Sequence, residues 1–183
     1  MEGYQKTLER LVVMSEKEYY TQIVDINRHQ VSVARILAWL AVVLTGFNAA
    51  LFDWIYIKYV DFDNSVLVLT VCFLPLSFAM VTGALAFISA ILAIPAIGGY
   101  DILYSQSWAE HLNKAYGLLH EKSTAVYETA LTDLISRLDI ACSNGAITNG
   151  KRGAYLRTSS YATIATSLFI ALGFLAFSFN YYL

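Results

Sequence analysis

Ser65–Ile97, SVLVLTVCFLPLSFAMVTGALAFISAILAIPAI, runs for 33 residues without a charge. A helix rises ~1.5 Å per residue, and about 20 apolar residues cross a hydrocarbon core ~30 Å thick. This stretch exceeds one crossing, at ~50 Å if helical throughout. Two shorter apolar runs flank it. Ile36 to Phe52 continues past Asp53 through Trp54-Ile55-Tyr56-Ile57, and Tyr161 to Leu183 is uncharged. Three runs of this kind predict an all-α, helical integral membrane protein with three transmembrane helices and amphipathic cytoplasmic helices. The predicted organisation is a cytoplasmic helix over 1–30, spans over 33–57, 65–97 and 161–183, and a cytoplasmic helical region over 99–160.

The composition agrees. Of the 183 residues 57% are apolar and 14% charged, with a net charge of −2 and a mean hydropathy of +0.53. A soluble domain has about 45–50% apolar and 25% charged residues. Neither half carries net positive charge, which argues against direct nucleic-acid binding. Cys72 and Cys142 form no metal-binding or disulfide spacing.

Basic residues set the expected orientation. Counted before, between and after the spans, Lys and Arg number 5, 1, 6 and 0. Positive charge collects on the cytoplasmic side, so the N-terminus and 99–160 are expected there. The Asp61-Phe62-Asp63-Asn64 loop and the C-terminus are expected outside. The same alternation favours one long second helix, bent at Pro75 and ending near Pro95, over two short spans. Trp54, Tyr56, Tyr59, Tyr181 and Tyr182 fit the outer interface.

Within the second run Ala79, Gly83, Ala86, Ala90 and Ala93 recur by fours and threes, on one helical face. Small residues so spaced let backbones approach where no hydrophobic force separates helix from lipid. Gly46-x-x-x-Ala50 is a shorter instance in the first span. The partner is either another helix of the same chain or a second copy, which would make a homo-oligomer. Polar groups in the spans are few and neutral. Isolated hydroxyls are expected on their own helix's carbonyls, whereas Asn48 needs a partner. Asn48, Thr82 and Ser89 are candidates for lining a pore. Asp53, near the outer end, fits an interface position better than an ion path.

Leu8, Leu11, Val12, Ser15, Tyr19, Ile23 and Ile26 mark an amphipathic helix running into the first span. Trp108, Leu112, Ala115 and Leu119 mark another, and Tyr127, Leu131, Leu134, Leu138 and Ala141 continue it in a new phase. Ser105 or Ser107 suits its N-cap. Ser143-Asn144-Gly145 is a predicted stop, and Asn144-Gly145 and Asn149-Gly150 are predicted turns that bring the chain back to the bilayer.

Catalytic signatures are missing from the sequence. His111 and His120 face opposite ways on a helix, His120-Glu121 lacks a following zinc-binding histidine, and Gly145, Gly150 and Gly153 do not have dinucleotide spacing. The expectation is a protein that is not an enzyme and needs no cofactor or metal. Lys151, Arg152 and Arg157 form the one basic cluster, either anchoring the third span to anionic lipid or contacting an anionic ligand such as a nucleotide.

The layout, with Trp108-Ala109-Glu110-His111-Leu112-Asn113-Lys114-Ala115-Tyr116-Gly117-Leu118-Leu119 opening the cytoplasmic helix, resembles the SLATT superfamily of small bacterial membrane effectors. Ser143 to Leu156, leading through Lys151-Arg152 into a last span, is similar to Pycsar-type transmembrane effectors. The resemblance implies a non-enzymatic antiphage effector, triggered by a nucleotide second messenger or a defence-system partner to breach the inner membrane. The alternatives are a membrane immunity or exclusion protein that binds a toxin or phage component, and a CRISPR-associated membrane accessory.

Overall fold

Long apolar runs form long helices, because in lipid every backbone polar group must be paired within its own segment. A computed structural model describes residues 2–60, 66–95 and 124–182. Among these, every residue but Ile94 and Pro95 is helical. Helix α1 spans Glu2–Tyr20, a π-helical turn follows at Thr21–Asp25, and α2 spans Ile26–Val60. Helix α3 covers Val66–Ala93 with Pro75 inside it, and α4 covers Thr124–Tyr182. Three stretches, Gly3–Lys58, Thr70–Ala93 and Tyr127–Phe179, are long and apolar enough to cross a membrane. The chain is an all-α helical membrane protein.

The predicted stop at Ser143-Asn144-Gly145 and the turns at Asn144-Gly145 and Asn149-Gly150 are not breaks: all lie inside α4. Gly145 and Asn149 are buried there. A residue without a side chain and an amide with a carbonyl partner are useful on a packed helical face, and that context overrides their turn preference. The expected loop 61–64, the helix opening at Trp108, the two histidines at 111 and 120 and the Ser105 or Ser107 cap lie outside the described residues.

The chain divides into two compact units, Met1–His29 with Ala96–Lys151, and Gln30–Pro95 with Arg152–Leu183. In the first, Leu8 and Val12 of α1 are buried, as are Leu138, Ala141 and Cys142 of α4. Tyr127 donates a hydrogen bond to Glu9 Oε1 at 3.1 Å. Leu11, expected on the apolar stripe, is 42% exposed.

The second unit is a three-helix bundle. Its inward positions are Ala34, Ala38, Ala41, Thr45, Asn48, Phe52 and Ile55 on α2, and Cys72, Leu76, Ala79, Gly83, Ala86, Ala90 and Ala93 on α3. On α4 they are Ser159, Thr163, Thr166, Ile170, Gly173 and Phe177. All three stripes alternate steps of three and four, the spacing of 3-4 ridge-into-groove packing. Asn48 meets Leu76, Ser159 meets Ala86 and Thr166 meets Thr82, so α3 runs opposite to the other two helices.

The bundle changes character along its length. Ala41, Ala86 and Ala162 form a core of methyl groups at one end. Leu51, Ile55, Cys72, Leu76, Ala79, Ile170 and Phe177 fill the other. Outward faces are apolar as well: Phe47 is 58% exposed, Val81 66% and Leu168 60%. Water would not tolerate such a surface, and lipid does.

A Cβ on Gly83 would lie 2.5 Å from Thr45 Oγ1, and one on Gly173 would lie 2.6 Å from Leu76 Cδ2. These two glycines set how closely the helices approach. Gly83→Ala should therefore destabilise the bundle by about 1–3 kcal/mol through overpacking. Thr45→Ala in the same chain should restore part of that loss, because it removes the obstructing hydroxyl. Thermal unfolding of the single and double variants in detergent measures the coupling.

Candidate functional site

Most hydroxyls in the bundle are spent on their own helices. Thr45 donates to Ala41 O at 2.7 Å, Thr82 to Phe78 O at 2.9 Å and Thr163 to Ser159 O at 2.8 Å. Three polar groups join helices. Ser159 donates to Ala86 O at 2.8 Å, and Asn48 Nδ2 donates to Leu76 O at 2.9 Å. Thr166 Oγ1 lies 2.9 Å from Thr82 Oγ1 and 2.8 Å from its own helix's Ala162 O.

Asn48 is wholly buried, and its Oδ1 has no hydrogen-bond partner among the described residues. An unsatisfied buried acceptor costs about 1–3 kcal/mol. Its other end makes the contact that fixes α2 on α3 just beyond Pro75, where the chain lacks an N–H for the Val71 carbonyl.

The candidate pore-lining residues therefore face inward. Asn48 and Ser89 are buried and Thr82 is half-buried, all within the bundle of one chain. Asn48 and Ser89 offer no open surface to a second copy in this arrangement. Of the helix-packing residues, Ala79, Gly83, Ala86, Ala90 and Ala93 lie along the buried face of α3. Gly46 and Ala50 do not join them. Both are exposed, and among the described residues nothing lies within 4 Å of a Cβ built on Gly46. The two small-residue motifs thus lie on different faces, one buried and one exposed among the described residues.

The basic cluster also separates. Arg152 is only 3% exposed, and its guanidinium donates to Ile94 O at 2.7 Å and to Pro95 O at 3.4 Å. These carbonyls follow the last turn of α3, which ends at Ala93. A cation there satisfies acceptors that the helix cannot pair and offsets the negative end of its dipole. Lys151 and Arg157 are exposed. Arg152 is spent on these carbonyls and is not turned outward with Arg157.

In the first unit, Asn149 Nδ2 donates to Gln22 O at 2.8 Å and lies 3.3 Å from Gln22 Oε1. The acceptor carbonyl lies inside the π-turn, where Ile26 N–H reaches back five residues to Thr21 O. Such turns insert one residue into an α-helix, and Asn149 supplies a donor there. Elsewhere in this unit a groove of about 480 Å³ is lined by Tyr4, Glu128, Thr129, Thr132, Asp133 and Ser136. Asp133 is paired with Arg137 at 2.9 Å. Two acids and no base on its walls make it a poor seat for an anionic nucleotide. No cluster of three metal-ligating side chains exists among the described residues.

Replacing Arg152 with Met should destabilise the bundle by about 1.5–3 kcal/mol, the range for hydrogen bonds to a charged group. Arg152→Lys should recover only part, since an ammonium cannot reach two carbonyls with a rigid fork. Amide exchange at the last turn of α3 should rise in Arg152→Met and stay unchanged in Arg157→Met.

Comparison with known proteins finds no match to the chain among family models, curated proteins or solved structures.

Proposed function

We propose that the chain is a membrane effector of a bacterial antiphage defence system, one that self-associates in the inner membrane and depolarises it on an infection signal. The N-terminus and the segment before the last span lie in the cytoplasm in this reading, as the distribution of Lys and Arg favours. The effector is not an enzyme.

One observation carries the proposal: the small-residue pair Gly46 and Ala50 faces outward into space that none of the described residues fills. A glycine and an alanine one turn apart admit a second helix closely. Inside a single copy, the space between the helices is taken by Ala41, Ala86 and Ala162 at one end and by Leu76, Ile55 and Ile170 at the other. Ions therefore need a route between copies, and α2 is the helix that offers a contact. The resemblance to small signalling-dependent effectors supplies the biological setting.

Gly46→Leu tests this with little risk to the fold, because the position is open and leucine favours a helix over glycine. Cells producing the native chain with its nucleotide signal should lose membrane potential, read by a potential-sensitive dye. The Gly46→Leu variant should fold and insert normally yet hold its potential. Growth arrest at full potential, or depolarisation undiminished by Gly46→Leu, would contradict the proposal.

A further inference from the structure

The bundle carries a matched feature on two helices that its packing does not use. Arg35 and Trp39 are exposed and one turn apart on α2, and Arg157 and Tyr161 are exposed and one turn apart on α4. Trp39 is 74% exposed and Tyr161 66%, among the highest values for aromatic side chains in the described residues. Residues four apart share a helical face, so each arginine sits directly below a ring.

The two pairs also share a depth. Gln30 Nε2 lies 4.0 Å from a Cβ built on Gly153, and the rings of Trp54 and Phe177 meet at 5.1 Å. These contacts hold α2 and α4 parallel and in register from one end of the bundle to the other. Arg35 is five residues beyond Gln30 and Arg157 four beyond Gly153, so the guanidinium-bearing positions differ in depth by roughly 1.5 Å. The apolar runs begin right there, at Ile36 and Tyr161. Among the described residues of this unit Asp53 is the one acid, and it lies near the other end of α2. No ion pair occupies either arginine among the described residues.

We propose that each pair is a binding site for the headgroup of an anionic phospholipid, in the leaflet at this end of the bundle. The guanidinium takes the phosphodiester with two parallel N–H donors. The ring lies at the level of the glycerol backbone, where amphipathic aromatic side chains settle. A zwitterionic headgroup offers the same phosphate, but its own cation competes for the position. Selectivity for net negative lipid follows, and the chain collects such lipid around α2 and α4 at one face of the membrane only.

The test uses the full chain with Trp54→Phe and Trp108→Phe, which leaves Trp39 as the sole tryptophan of the original three. It is reconstituted in phosphatidylcholine vesicles holding a minor fraction of either brominated phosphatidylglycerol or brominated phosphatidylcholine, at equal mole fraction. Bromine quenches tryptophan at contact range, so quenching reports the local lipid. The attraction of one basic residue for anionic lipid corresponds to about fivefold local enrichment, which Trp39 should register for phosphatidylglycerol alone. Molar salt should remove most of the excess. Arg35→Gln should abolish it and Arg35→Lys should keep part of it, with helicity unchanged. A second chain, with all three tryptophans replaced by Phe and with Tyr161→Trp, should show the same enrichment and lose it on Arg157→Gln. Equal quenching by the two brominated lipids would overturn the proposal, as would enrichment that survives Arg35→Gln and Arg157→Gln.

Discussion

The bundle depends on how closely α3 can approach its two neighbours. In lipid the hydrophobic effect does not distinguish a helix neighbour from an acyl chain, so association relies on van der Waals contact and on hydrogen bonds between helices. Gly83 and Gly173 permit the approach, and atoms of Thr45 and Leu76 occupy the space their side chains would take. Once the backbones are close, Ser159 and Asn48 can reach carbonyls on α3. Arg152 closes the end of the same helix. Substituting a larger residue at Gly83 separates the helices and weakens these polar contacts with them, so the small residues and the buried hydrogen bonds act as one device.

Much of this was legible in the amino-acid sequence. The uncharged length from Ser65 to Ile97 fixes a spanning helix, and the spacing from Ala79 to Ala93 fixes its packed face. Spacing does not say what a face packs against. Ala79 through Ala93 and Gly46-x-x-x-Ala50 look alike as motifs, yet the first lies inside one chain and the second points away from it. Likewise a run of Lys151, Arg152 and Arg157 reads as one basic cluster, although one residue in the run is buried as a helix cap and the others point elsewhere. Neighbours in sequence diverge by about 100° per residue on a helix.

The misread turns have a similar origin. Asn149 and Gly145 carry strong turn preferences that hold for solvated chain, and a packed face has uses for both. The π-turn had a subtler signal. The stripe of the first helix takes two fours in succession, Ser15 to Tyr19 to Ile23, where strict alternation gives position 22. The π-turn at Thr21–Asp25, which inserts one residue, lies there. The paired arginines and rings of α2 and α4 could not be matched in sequence alone, because the register between the helices comes from contacts such as Trp54 with Phe177.

The bundle of one chain divides into an inward seam and an outward surface. Cysteine cross-linking tests whether that seam closes within a single copy. A Cβ on Gly83 would lie 3.7 Å from Thr45 Cβ, within the range disulfides accept. With Cys72 and Cys142 replaced, Thr45→Cys and Gly83→Cys together should oxidise to a product of one-chain mass that no longer accepts a maleimide label. Cross-linked dimers as the main product, or two thiols that stay free under oxidant, would contradict the account.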